Sequence, residues 1–139
     1  MDTIQAIVAK HLIHKIDYIT NKRIKNANFF DKELSLIPEI ILPTRYESAK
    51  QVFHIYVIRV KQRNELRKFL IKNGIDAKIH YPLPMHLQPA AKKFGYKKGD
   101  FPNCELICKS VLSLPVHEFI SNSQRKYVVK VIKNFYENY

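Results

Sequence analysis

Glycine is scarce in this 139-residue chain: Gly74, Gly95 and Gly99 are the only three. That scarcity excludes the glycine-rich loops that cradle phosphates with backbone N–H groups. It also leaves no serine or cysteine on a glycine elbow of the kind that mounts a nucleophile. Cysteine is almost as rare. Cys104 and Cys108 cannot form a disulfide framework, and their four-residue spacing predicts reduced, packed side chains on one helix face. No apolar run reaches the roughly 18 residues that a membrane helix needs. The start, Met1-Asp2-Thr3-Ile4-Gln5, lacks the basic and apolar regions of a secretion signal. These absences predict a soluble, cytoplasmic protein with no membrane contact. No cysteine or carboxylate stands within a few residues of His80 and His86 to complete a tetrahedral metal site, so no metal is expected.

What is present is apolar residue and positive charge. At 46% hydrophobic content the chain supports one true core, and one domain of this length buries roughly two thirds of its unfolded surface. Lysine and arginine total 24 against 12 acidic residues, a formal charge of +12. Such a balance raises the question of nucleic acid. The charge is mostly scattered lysine, however, without the arginine cluster that reads base edges, so nucleic acid is not the expected partner. An anionic small ligand such as a nucleotide diphosphate gains from the same field.

Ile4, Val8, Leu12, Ile16 and Ile19 recur every three or four residues and predict one long helix reaching about Phe30, with those residues as its apolar stripe. With nothing ahead of Met1, this helix is expected to start without an N-cap, like a helix that has been cut. Leu36 to Pro43, with two prolines, reads as a crossing loop or edge strand. Gln51 to Val60 is the clearest strand, dense in β-branched and aromatic residues. Asn64 to Asn73 is an amphipathic helix that turns Leu66, Phe69 and Leu70 inward and ends at Gly74. Asp76 to Tyr81 reads as a short strand, and Pro102 to Val111 as a helix burying Cys104, Ile107, Cys108 and Val111. Asp100 is a candidate cap for that helix. After an extended Leu112–Val116, Ser121 and Gln124 make a capping box for a last helix burying Val128, Val129, Ile132 and Phe135. The order predicts an α+β two-layer domain, helices over a small, mainly antiparallel sheet.

The most telling stretch is Ile79-His80-Tyr81-Pro82-Leu83-Pro84-Met85-His86-Leu87-Gln88-Pro89. Its prolines exclude helix and central strand and stiffen a loop. Two imidazoles, a phenol and an amide on that loop can all hydrogen-bond a polar ligand. A plain connection whose histidines cap backbone groups explains the loop equally well on these grounds. His11, His14, His54 and His117 read as ordinary surface or strand histidines.

The run from Ile75 to Pro89 resembles the "GI…IHYP.PLHLQPA" block of the DegT/DnrJ/StrS sugar aminotransferases. Phe94-Gly95-Tyr96, Gly99-Asp100-Phe101-Pro102 and Leu112-Ser113-Leu114-Pro115 follow in that family's order. Met1-Asp2-Thr3-Ile4-Gln5-Ala6 is similar to the start of the helix joining the family's large and small domains. The resemblance runs over essentially all 139 residues.

It implies the small domain of the aspartate-aminotransferase fold (fold type I of pyridoxal phosphate enzymes). Residues 1–30 would be the linker helix and 31–139 the C-terminal small domain. It implies an enzyme that moves an amino group from glutamate to a nucleotide-linked keto sugar, with pyridoxal phosphate as electron sink. Substrate contact falls on His80 and Tyr81, with His86 and Gln88 in support. The family's Schiff-base lysine, its aspartate on the pyridine nitrogen and its phosphate-binding residues belong to the large domain, and no lysine here sits in the lysine motif. The chain alone is therefore expected to hold no cofactor and to be catalytically incomplete. Expected partners are the nucleotide sugar, a separately encoded large domain, and further copies in a homo-oligomer. The competing expectations are a free-standing basic binding module and a vestigial fragment.

Overall fold

The computed structural model describes residues 1–138. Its centre is a three-stranded antiparallel sheet of β1 (Ile40–Ile41), β2 (Tyr56–Val60) and β3 (Val111–Leu114), in the order β1-β2-β3. Tyr56 stands opposite Leu114, and Ile58 opposite Leu112. With side chains alternating between faces, these four point to one side with Val60. That side is the core: Tyr56, Leu112, Phe30, Leu66, Leu70 and Ile132 are completely buried. Each leucine-sized side chain so buried contributes about 1.5–3 kcal/mol.

Three helices supply the other half of the core: α2 (Ile16–Leu34), α3 (Arg63–Lys72) and α5 (Asn122–Glu137). α5 packs against both α2 and α3. Its Ser121–Gln124 capping box and its buried Val128, Val129, Ile132 and Phe135 are as the sequence predicts. α3 buries Leu66 and Leu70, and Gly74 follows it at φ 75°, the left-handed conformation that glycine adopts without steric cost. The α+β, two-layer expectation and the antiparallel sheet hold.

Several boundaries do not. The predicted first helix is two helices, α1 (Thr3–Ile13) and α2, parted at His14-Lys15 with neither proline nor glycine to mark the break. α1 is properly capped: Asp2 accepts from the Gln5 N–H at 2.9 Å while the Gln5 side chain accepts from the Asp2 N–H. Its apolar stripe finds no partner among the described residues, for Ile4, Val8 and Leu12 are all exposed, as is Ile16 at the start of α2. The periodicity specified a helix without specifying a surface to cover it.

The strand predicted from Gln51 begins only at Tyr56. Phe53 has φ 51°, and the Phe53 and His54 carbonyls accept from the Arg23 guanidinium at 3.2 and 3.1 Å instead of from a neighbouring strand. Asp76–Tyr81 makes one bridge, Lys78 with Ser113, and no full strand. α4 (Pro102–Ser110) buries none of its residues. Cys104 and Ile107 are exposed and Cys108 half-buried, so the spacing that fits a helix here does not mark a core face. Val111 is buried, but in β3. Phe101, not Asp100, occupies the cap position of α4; the Asp100 carboxylate accepts from the Lys97 N–H at 2.8 Å instead.

Candidate functional site: the proline loop and the sheet face beneath it

Ser113 belongs to the sheet face opposite the core, where it pairs with Val57 on one side and Lys78 on the other. The Lys78–Ser113 pair exchanges both backbone hydrogen bonds, at 3.1 and 2.7 Å. Two residues beyond Lys78, on the same side of the extended chain, is His80. Its Nδ1 lies 2.9 Å from Ser113 Oγ. A buried hydroxyl thus fixes the imidazole plane and leaves Nε2 for another partner. Tyr81 follows across a cis peptide bond, its ring edge-on to His80 at 5.9 Å and largely exposed.

The prolines after Tyr81 do not keep the loop irregular throughout. Met85–Leu87 and Pro89–Phe94 are short 3-10 turns. Pro84 precedes the first and Pro89 opens the second, the one helical position where a missing N–H costs nothing. Gln88 is the hinge between them, half-buried, its carbonyl accepting from Ala91 N–H.

His86 points elsewhere. Its Nε2 is 3.1 Å from Glu105 Oε1, and both side chains are nearly covered, at 7% and 11% exposure. The same carboxylate oxygen accepts from the Gly99 N–H at 2.6 Å. This backbone donor first, and His86 after it, hold the Glu105 carboxyl below its ordinary range, against the effect of burial. Phe101 lies over the His86 ring at 4.8 Å, and Tyr96 against Phe101 at 5.2 Å. His86 therefore clasps the loop to α4 and the 95–101 turn.

The four residues predicted for substrate contact thus fall into two groups. His80 and Tyr81 lie together at the sheet face; His86 and Gln88 shape the loop behind them. The sequence reading missed two residues that place these histidines. Ser113 had a signal, as the one polar residue in the apolar Val111–Leu114. Glu105 had none, since nothing in its position on α4 pointed toward His86.

A groove of about 300 Å³ runs alongside His80, between segments 54–55, 76–80 and 113–117, with Arg23 of α2 at its side. Every arginine in the chain is engaged within the fold. Arg23 holds the two carbonyls above, Arg45 the carboxylate of Asp31, Arg59 the Ser110 hydroxyl, Arg63 the Val111 carbonyl, Arg67 the Ala77 carbonyl and Arg125 the Asn26 side chain. The lysines, by contrast, are on the surface, Lys133 alone being half-buried. Among the described residues, no group of three or more His, Cys, Asp or Glu is placed to hold a metal ion, and no helix is long and apolar enough to cross a membrane.

The chain and its fold have counterparts among known proteins. The chain is 35% identical over its whole length to a pleiotropic regulatory protein of Geobacillus stearothermophilus, of which it covers 38%. It is 31% identical to the dTDP-3-amino-3,4,6-trideoxy-alpha-D-glucose transaminase of Streptomyces venezuelae, covering 99% of this chain and 36% of that protein. Among solved structures, S. venezuelae DesV in complex with a ketimine intermediate superposes with a TM-score of 0.93 at 31% identity, over 99% of this chain and 37% of that one. An aminotransferase from Brucella abortus gives 0.89 at 27% identity, over 97% and 36%. The chain thus spans little more than a third of the length of these relatives. A sequence model of one family matches residues 1–133, nearly everything described above, and by that match the chain belongs to the DegT/DnrJ/EryC1/StrS aminotransferase family.

Proposed function

We propose that this chain is the C-terminal small-domain portion of an aminotransferase acting on nucleotide-linked keto sugars, with His80 and Tyr81 as its substrate contacts. Residues 1–30 serve in this reading as the junction to a large domain and 31–139 as the small domain. The observation that carries it is the fixed His80 ring: Ser113 occupies Nδ1 at 2.9 Å, and Nε2 remains to bond a sugar hydroxyl or phosphate oxygen beside the exposed Tyr81 phenol. Two relatives are named as transaminases of dTDP-linked amino sugars, which supports this substrate class. His86 and Gln88 act through the loop rather than on the ligand.

The cofactor of the family is pyridoxal phosphate, which supplies an electron sink for amino transfer. The residues present here do not fit it. A Schiff-base lysine works where its amine is desolvated. Lys78, the lysine lining the groove at His80, is exposed and paired with Asp76 at 3.1 Å. The Ser113 N–H is already bonded to the Lys78 carbonyl and is not free to cradle a phosphate. In our reading these residues present substrate and leave the cofactor to others, so the chain by itself does not transaminate. The internal engagement of every arginine supports a small anionic ligand over a base-reading nucleic-acid surface.

The test is to add pyridoxal phosphate, reduce with borohydride and map any modified lysine by mass spectrometry, alongside a nucleotide-sugar titration followed at the Tyr81 ring. We expect no stoichiometric lysine adduct, and a saturable response at Tyr81 that is lost in His80→Ala. One lysine modified to completion would overturn the reading of the chain as cofactor-free. A Tyr81 resonance that ignores the sugar nucleotide would overturn the substrate assignment.

A further inference from the structure

Cysteine is among the most buried of residue types, yet neither cysteine of this chain belongs to the core. Cys104 is exposed, Cys108 is half-buried, and both are free thiols. They stand four residues apart inside α4, so they share one face of a helix that buries none of its residues. Packing does not account for them. The two thiols also share one environment: burial first, and then the Cys104 side chain, push the Cys108 thiol up, while the Arg63 guanidinium opposes them. Arg63 Nη1 donates to the Cys108 and Val111 carbonyls, each at 3.2 Å, which anchors a positive charge at that end of α4.

The spacing decides what the pair can do. Side chains at i and i+4 of a helix have Cβ atoms roughly 5–6 Å apart, whereas a disulfide needs about 3.5–4.5 Å. A bond between the sulfurs would therefore distort α4. An ion held between two thiolates, each about 2.3 Å away, lets the sulfurs stand up to ~4.6 Å apart, which a regular helix supplies. The surroundings limit such an ion to these two ligands. Glu105, between the cysteines in sequence, has its Oε1 taken by the Gly99 N–H and by His86. Among the described residues no third His, Cys, Asp or Glu completes a set. Zinc asks for four ligands and is poorly served here. Copper(I), a soft ion that selects thiolates, is satisfied by two.

We propose that Cys104 and Cys108 form a two-coordinate thiolate site for copper(I) on the open face of α4. Binding breaks two S–H bonds, forms two S–Cu bonds and releases two protons to solvent, with no change of oxidation state. The resulting bis-thiolate complex carries one negative charge, which the neighbouring Arg63 offsets. His80 and Tyr81 take no part, so the site stands or falls apart from the substrate reading.

The full chain, reduced and kept anaerobic, is titrated with copper(I) supplied as its bicinchoninate complex. Thiolate-to-copper absorbance and native mass spectrometry follow the transfer. One copper per chain is expected, at a mass two protons short of simple addition. Cys104→Ser should weaken retention at least about a hundredfold, because the second thiolate otherwise binds at high effective concentration. Its side chain is exposed, so circular dichroism should show the fold unchanged. Cys108→Ser should lose copper to the same degree, and zinc(II) offered instead should be removed by desalting. Copper that stays on Cys104→Ser, or that never leaves the chelator for the unsubstituted chain, would overturn the proposal. So would two coppers per chain, one on each thiol, or one zinc retained per chain, which requires donors that this site does not have.

Discussion

Ser113 Oγ sits 2.9 Å from His80 Nδ1, on a strand whose backbone is paired on both sides. The serine is 5% exposed, so its hydroxyl has little access to water if the ring moves away. Ser113→Ala removes one buried hydrogen bond and should cost about 0.5–1.5 kcal/mol of stability, read by urea unfolding. The more specific consequence is local. The His80 ring loses its fixed orientation, so imidazole NMR should change from one defined tautomer to an averaged signal. A single sharp tautomer retained in the variant would show that the serine does not position the ring.

Tyr56 and Tyr136 make the fold sensitive to alkali. Tyr56 is fully buried and donates to Asp31 at 2.7 Å, while Asp31 also accepts from Arg45. Burial first, then the Asp31 carboxylate, pushes the Tyr56 phenol well above its usual value of 10.0. Burial and Glu39 push Tyr136 up likewise; its hydroxyl donates to the Lys61 carbonyl at 2.8 Å. A raised folded-state pKa means that the folded protein keeps protons which the unfolded chain releases. The stabilisation is complete below about pH 10 and declines above it, by up to ~1.4 kcal/mol per pH unit for each tyrosine. Urea midpoints at pH 9, 10 and 11 should fall steadily, and Tyr56→Phe should make that fall shallower despite lower stability at neutral pH. An unchanged slope in the variant would remove Tyr56 as the cause.

Glu105 predicts the opposite pH window. Its carboxyl is held below its ordinary 4.5, chiefly by the Gly99 N–H and then by His86. The clasp is therefore intact above about pH 4.5 and weakens as acid protonates the carboxylate. The effect belongs to the 95–101 turn and not to the core. The Gly99 amide should exchange with solvent faster in Glu105→Gln, and limited proteolysis should cut near Lys97 and Lys98, with global unfolding little changed. Exchange at Gly99 that matches the unsubstituted protein would mean the 2.6 Å contact does not persist in solution.

How much of this the sequence disclosed depended on whether local and tertiary signals agreed. α5 was fully legible because a capping box, an apolar stripe and a covering surface coincide over the same residues. β2 was half legible: its residues favour strand from Gln51, but Arg23, thirty positions away, takes the carbonyls of Phe53 and His54. Periodicity over Pro102–Val111 identified α4 but not its exposure, because what lies opposite a helix is a tertiary fact. At the site, the stiff loop and its histidines were readable, whereas their separate duties were not. His80 and His86 look alike in sequence and are distinguished only by Ser113 and Glu105, both distant along the chain.

α1 gives the last prediction. Eleven residues is about the length at which an isolated helix is marginal in water, and α1 has a sound capping box but no buried residue to hold it. Ile4 is 76% exposed, Ile7 64% and Val8 51%. Such a face loses favourable burial as long as it stays in water, which favours association with a complementary surface. In the absence of another partner, the partner we expect is a second copy, since a self-complementary apolar helix satisfies both protomers at once. Sedimentation over a wide concentration range should show reversible self-association. Ile4→Glu with Ile7→Glu should abolish it while leaving the urea midpoint of the core unchanged, because neither side chain touches the core cluster. Asp2→Ala separates cap from contact: it should lower α1 helicity by circular dichroism, at a cost of about 1 kcal/mol to that helix, and weaken association in proportion. A chain that stays monomeric at every concentration, with or without the glutamates, would leave this face without a role in self-assembly.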